Sequence, residues 1–181
     1  MDIGVLPGTT IEAAFSAPGV AAGILGSIFL TEGLVLSQVV SLTGQPTHVL
    51  QNWVKRGFVP PPVNKKYSRS QFCRIAMINF LKDCLQLDSI VRLIGHVNGS
   101  LAAETDDLID DYELYCYFVD TLALGAGRKE PDDAIAGVLA AYREPFPGAG
   151  RRVAKVLKVM RILYESAWLK KQADIIIGEI E

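Results

Sequence analysis

The sequence predicts a mainly α-helical protein, in which a helix-turn-helix with a short wing is followed by a helical C-terminal half. Three observations carry that prediction. In LSQVVSLTGQPTHVLQNWVKRGFV, apolar residues fall at helical spacing on either side of a Gly-containing turn. Pro60, Pro61 and Pro62 then forbid helix, and the chain returns through Lys65 and Lys66. From Ser68 onward apolar positions recur at helical spacing, interrupted by turn-forming strings such as PFPGAG at 145–150. The chain is thereby divided into an N-terminal helical segment packed on the core (1–33), the helix-turn-helix with its wing (34–99) and a further helical region (100–181).

The uncharged run from Ala13 to Leu30 approaches transmembrane length, but it contains Pro18, Gly19, Gly23 and Gly26, and no Lys or Arg precedes it. It reads as a close-packed helix from about Pro18 to Leu30, with small residues allowing near approach to the central helix, and no membrane partner is expected. Ser37 is placed to cap a short helix carrying Val39, Val40 and Leu42, and Gly44 to end it in the left-handed conformation. Pro46 suits the first turn of the next helix. At 100° per residue, that helix collects Val49, Leu50, Trp53 and Val54 on one side and His48, Gln51, Asn52, Lys55 and Arg56 on the other. Gly57 ends it.

Ser68 and Gln71 form a capping box, with Tyr67 and Phe72 as a hydrophobic staple. The helix they start is apolar nearly all round from Phe72 to Leu85, which marks it as the central helix of the protein. Asp88 is placed to cap a helix carrying Ile90, Leu93, Ile94 and Val97 that stops at Asn98 and Gly99. Thr105 is placed to cap an acid-fronted helix, Pro131 to start another through Ala141, and the last long helix begins near Arg151.

The polar side of the Thr47–Arg56 helix combines amides suited to base edges with cations suited to phosphates. An ordinary solvated face has a similar composition, and a rigid linker would also account for the prolines. The surroundings favour the first reading. Two short helices across a tight turn direct the second into a major groove, and a Pro-rich excursion tipped by Lys65 and Lys66 suits a wing over the sugar-phosphate backbone.

The order short helix, TG turn, helix ending in RGFV, proline-rich wing, Tyr67, Phe72, Ile75 and LQLDSIVRLI resembles the DNA-binding domain of mercury-resistance-type (MerR) transcriptional regulators. VKRGFVPPPVNKKYSRSQFCRI is more closely similar to an uncharacterised bacterial family of domains of unknown function, common in Firmicutes and considered MerR-like. The resemblance implies double-stranded DNA as partner and transcriptional control as role, with contacts through Gln51, Asn52, Lys55, Arg56, Lys65, Lys66 and Arg69. It also implies a homodimer joined through the C-terminal helices, which would offer two recognition helices to a palindromic site. The wing here is shorter than in most MerR-type proteins, and Trp53 with Val54 stands where an aromatic pair followed by a charge is usual.

Charge tests the same reading. A net charge of −2 argues against a nucleic-acid binder, but the local balance differs. From His48 to Arg92, Lys55, Arg56, Lys65, Lys66, Arg69, Arg74, Lys82 and Arg92 face only Asp83 and Asp88. The acids concentrate between Glu104 and Asp133, where TDDLIDDYELYCYFV lacks the Gly-centred alternation of a calcium loop, so no metal is expected. Cys73, Cys84 and Cys116 are odd in number and lie in apolar helices, which fits core thiols in a reducing cytoplasm. No nucleophile elbow, metalloprotease motif or phosphate loop is present, so neither an enzyme nor a cofactor is expected. The competing functional class is a non-catalytic helical protein that binds a partner or a small apolar ligand and not DNA, motivated by the aromatics from Tyr112 to Phe118 and Trp168. No residue pattern identifies a small-molecule effector.

Overall fold

The computed structural model describes residues 3–14, 17–98, 108–125 and 131–180. Strands β1 (Ile3–Val5) and β2 (Glu12–Ala14) pair antiparallel, with Gly4 opposite Ala13. There follow α1 (Val20–Ile28), β3 (Leu34–Val35), α2 (Leu36–Thr43), α3 (Thr47–Lys55), β4 (Lys66–Tyr67), α4 (Arg69–Leu81), α5 (Leu87–Gly95), α6 (Asp111–Gly125), α7 (Pro131–Leu139) and α8 (Ala149–Gly178). The described residues are thus mainly helical, as the sequence predicts.

α4 has almost no solvent face: every residue from Phe72 to Ile78 is buried, and so is Leu81. Burying a large apolar side chain is worth about 1.5–3 kcal/mol, so this helix contributes heavily to the stability of the whole. α6 lies along it, and α2, α5 and α8 complete the enclosure. Phe80 of α4 stacks on Phe118 of α6 with ring centroids 4.9 Å apart. The buried cluster draws on all three predicted segments, from Leu25 through Leu50 and Phe72 to Phe118 and Leu157.

The capping box forms: Ser68 Oγ accepts from Gln71 N at 3.2 Å, and Gln71 Oε1 accepts from Ser68 N at 2.7 Å. Ser37 and Asp88, in contrast, are not caps. α2 starts two residues earlier than a Ser37 cap allows, with Gln38 Oε1 accepting from Val35 N, and Asp88 sits in the first turn of α5 behind Gln86. There its charge still complements the helix dipole. α5 ends at Gly95, short of Asn98, which is buried. Thr105 and Gly99 lie outside the described residues, and the first turn of α6 is capped by Asp110 Oδ1, which accepts from Tyr112 N and Glu113 N. α7 ends at Leu139 instead of Ala141, and α8 starts at Ala149 behind Gly148, whose φ is 93°.

The N-terminus departs most from expectation. α1 is shorter than Pro18–Leu30 and packs chiefly on α6. Gly23 and Gly26 have open space where a Cβ would stand, so they do not serve close approach. That role belongs to Gly8, in left-handed conformation at φ 72°, where a Cβ would run into the Ala76 carbonyl of α4. Asn79 Nδ2 donates to both Gly8 O and Thr43 O at 2.9 Å, the Tyr115 hydroxyl donates to Pro7 O at 2.8 Å, and Thr10 N donates to Leu42 O at 2.8 Å. The β1–β2 loop is thereby fastened to α4, α6 and the end of α2. Among the described residues, no helix is long and apolar enough to cross a membrane.

Candidate nucleic-acid interface

α2 and α3 are joined across Gly44, whose N–H donates to Val40 O at 2.9 Å and whose φ of 67° then turns the chain out of α2. α3 then buries Leu50 and Trp53, with Val49 and Val54 half-buried beside them. His48, Gln51, Asn52 and Lys55 point outward and are exposed, and among the described residues their side chains have no hydrogen-bond or ion-pair partner within the chain. Arg56 is exposed too, but it is engaged: its guanidinium lies 4.4 Å from the Phe58 ring centroid and 4.0 Å from Asp88 Oδ1. Gly57, at φ 74°, turns the chain so that Phe58 N donates to Trp53 O at 2.9 Å and Val59 is buried.

The prolines lead into a hairpin. Val63 N donates to Lys66 O at 3.1 Å and Lys66 N to Val63 O at 2.9 Å, across a two-residue turn in which Asn64 and Lys65 both have positive φ, 49° and 61°. That geometry is the primed turn that matches strand twist. Asn tolerates it well, whereas Lys65 holds it at a cost of about 1–2 kcal/mol. β4 also pairs with β3, Leu34 opposite Tyr67 and Val35 opposite Lys66, which ties the hairpin to the start of α2. Prolines lack N–H groups but keep their carbonyls, and Gln71 Nε2 donates to Pro60 O at 3.2 Å and Pro61 O at 2.8 Å. One side chain therefore caps α4 and holds the proline run.

Between α3 and this hairpin lies a cavity of about 600 Å³, lined by Gln51, Val54 and Lys55 of α3, by Pro62 and Lys65, and by Leu36 of α2. The structure thus brings Gln51, Lys55 and Lys65 together, with His48 and Asn52 on the same exposed face of α3. Lys66 is elsewhere: its ammonium reaches Glu32 at 3.4 Å and borders a second, more polar cavity of about 910 Å³ shared with α6. Arg69 lies over the Tyr112 ring, 4.0 Å from its centroid. Two of the eight candidates thus turn away from α3, because adjacent residues of the hairpin and the first turn of α4 face different neighbours.

Sequence reasoning missed a buried ion pair that lines the second cavity. Arg74 Nε donates to Asp111 Oδ2 at 2.6 Å, with side chains only 4% and 11% exposed, and Asn98 Nδ2 donates to the other oxygen of Asp111. Burial raises the Asp111 carboxyl above its ordinary range, against the opposing effect of Arg74. Ser70 Oγ donates to Asp110 at 2.6 Å beside it. Arg74 and the Asp110–Asp111 pair are visible in the sequence, but nothing local signals that they meet. Among the described residues no cluster of His, Cys, Asp and Glu is arranged to hold a metal ion. Cys73 and Cys116 are buried in the helices, and burial pushes the Cys116 thiol up to about 12.

Fold and site together define a mainly helical protein that presents one polar helix face beside a short basic hairpin. Residues 31–118, which run from just before β3 into α6, match the model of a family described as a domain of unknown function (DUF1836). No curated protein and no solved structure matches the chain. The matched span contains all eight candidate residues and both members of the Arg74–Asp111 pair, and it supports the resemblance to an uncharacterised domain family.

Proposed function

We propose that residues 34–99 act as a MerR-like winged helix-turn-helix and that the protein is a DNA-binding transcriptional regulator of the cytoplasm. One observation carries this reading: four polar side chains of α3, His48, Gln51, Asn52 and Lys55, stand exposed and unpartnered among the described residues beside the Lys65 hairpin tip. With α3 in a major groove, Gln51 and Asn52 would read base edges, since a side-chain amide matches the donor and acceptor of adenine. Lys55 and Lys65 would neutralise phosphates, which fixes position without reading sequence. Arg56, stacked on Phe58, would meet the groove edge, while Lys66 and Arg69 would contribute only to the surrounding field.

In this reading the protein works as a homodimer. Val159, Ile162, Leu169 and Ile176 of α8 are all exposed, and with Ser166 and Ala173 they keep alternating spacings of three and four residues, the seam of a helix pair. Light scattering should find a dimer that Leu169→Glu converts to a monomer.

Selection of bound duplexes from a random pool tests the main claim. Gln51→Ala should relax preference at one position by about 1–3 kcal/mol, whereas Lys65→Ala should weaken all duplexes alike and reduce the log-log salt slope by about one. Failure to enrich any sequence at low salt, or indifference to both substitutions, overturns the assignment.

A further inference from the structure

We infer that the cavity between α3 and the hairpin is a binding site for a small amphipathic acid, an apolar body carrying one carboxylate, and that such a ligand competes with DNA. The competition rests on the function proposed above, whereas the binding does not.

The floor of the cavity is apolar: Val35, Leu36, Val54, Pro62 and Tyr67. Its volume of about 600 Å³ falls within the range of small-molecule sites, about 300–1,000 Å³. Tyr67 is buried beneath it, but Val35 remains 41% exposed and Leu36, Val54 and Pro62 are only half-buried, so part of this floor stays open. The charge at its edge has one sign. Lys55 and Lys65 border the cavity, neither forms an ion pair among the described residues, and no carboxylate lines it. Gln51 adds an amide that can donate to an oxygen.

The second cavity is the useful contrast. It is larger, but Glu32 and Asp111 line it and already pair with Lys66 and Arg74, so it offers an anion no unsatisfied cation of this kind. An apolar floor under two free ammonium groups instead matches a ligand with a hydrocarbon or aromatic body and a single anionic head. The walls are held before any ligand arrives, by the Val63–Lys66 hydrogen bonds and by Gln71 on Pro60 and Pro61, so little ordering is required on binding. Gln51 and Lys55 belong both to the cavity and to the exposed face of α3, which is why one occupant would exclude the other.

Calorimetry with decanoate and decanol below their aggregation limits tests the site in the whole 181-residue chain. Decanoate should bind one to one and about fivefold more tightly than decanol, and the double variant Lys55→Gln/Lys65→Gln should lose that preference. Both lysines are exposed, so the variant should melt with the wild type, and an unchanged melting temperature confirms that folding is not at issue. Val54→Trp, which fills the floor, should abolish binding of both. Absence of decanoate binding, equal affinity for decanol, or binding insensitive to the double variant overturns the site. Decanoate should also displace a selected duplex from the wild type, and saturation without displacement overturns the competition. Should decanoate bind normally while no duplex is ever bound, the site stands, and the functional reading and the competition that rests on it both fall.

Discussion

α3 and α4 are consecutive helices that meet solvent in opposite ways. α3 buries Leu50 and Trp53 and turns His48, Gln51, Asn52 and Lys55 outward, whereas α4 buries every residue from Phe72 to Ile78 and takes Arg74 inside with them. A helix covered on one side can offer its other side to a partner without unfolding. A helix covered all round is scaffold, and any charge it carries must be matched from within the protein. The two helices should therefore respond to substitution in different measurements, stability for α4 and recognition for α3.

The largest effect is expected at Arg74. Arg74→Met leaves Asp111 buried without its cation and should lower unfolding free energy by about 3–5 kcal/mol in urea titration, with most of the loss recovered in Arg74→Met/Asp111→Leu. A loss no larger than a surface change would break the contrast with α3. The same pair has a pH signature. Burial holds the Asp111 carboxyl above its unfolded value, so the folded state binds this proton more tightly. The group's favourable contribution is therefore fully present below the ordinary carboxylate range and is lost as pH rises through the raised folded pKa. Across that window, stability of the wild type relative to Asp111→Asn should fall with rising pH, and a rise would reverse the assignment.

Ser68→Ala removes one acceptor at the exposed start of α4 and should cost about 1 kcal/mol, read by thermal melting. Gln51→Ala and Lys55→Ala should leave stability within about 0.5 kcal/mol, since both side chains are exposed and without a partner among the described residues, while changing duplex selection. Melting losses on the scale of Arg74→Met would show that α3 too is scaffold. The smallest perturbation is chemical: Cys73 and Cys116 should resist a thiol reagent in the native protein, and half-buried Cys84 should react first.

Much of α3 was legible from its residues, because a period of 100° separates two faces whatever the surroundings, and the capping box was legible because its partners stand three residues apart. The grouping of the eight candidates was not. Arg56 is drawn to Phe58 and to Asp88 of α5, Lys66 to Glu32 and Arg69 to Tyr112, and none of these neighbours is marked by spacing. The three-residue strands β1 and β2 are too short for alternation to register, and the glycines that looked suited to close packing in α1 face open space.

What the sequence by itself determined about this protein is therefore local: the polar side of α3, the start of α4, the break at the prolines and the mainly helical character. Each depends on interactions within about four residues, which backbone sterics and hydrogen-bond geometry decide alone. Only the tertiary structure decided that Gly8 lies against Ala76, that Arg74 meets Asp111 and that Gln51, Lys55 and Lys65 share one cavity. Those meetings follow from which surfaces bury together around α4, and burial is a property of the packed whole.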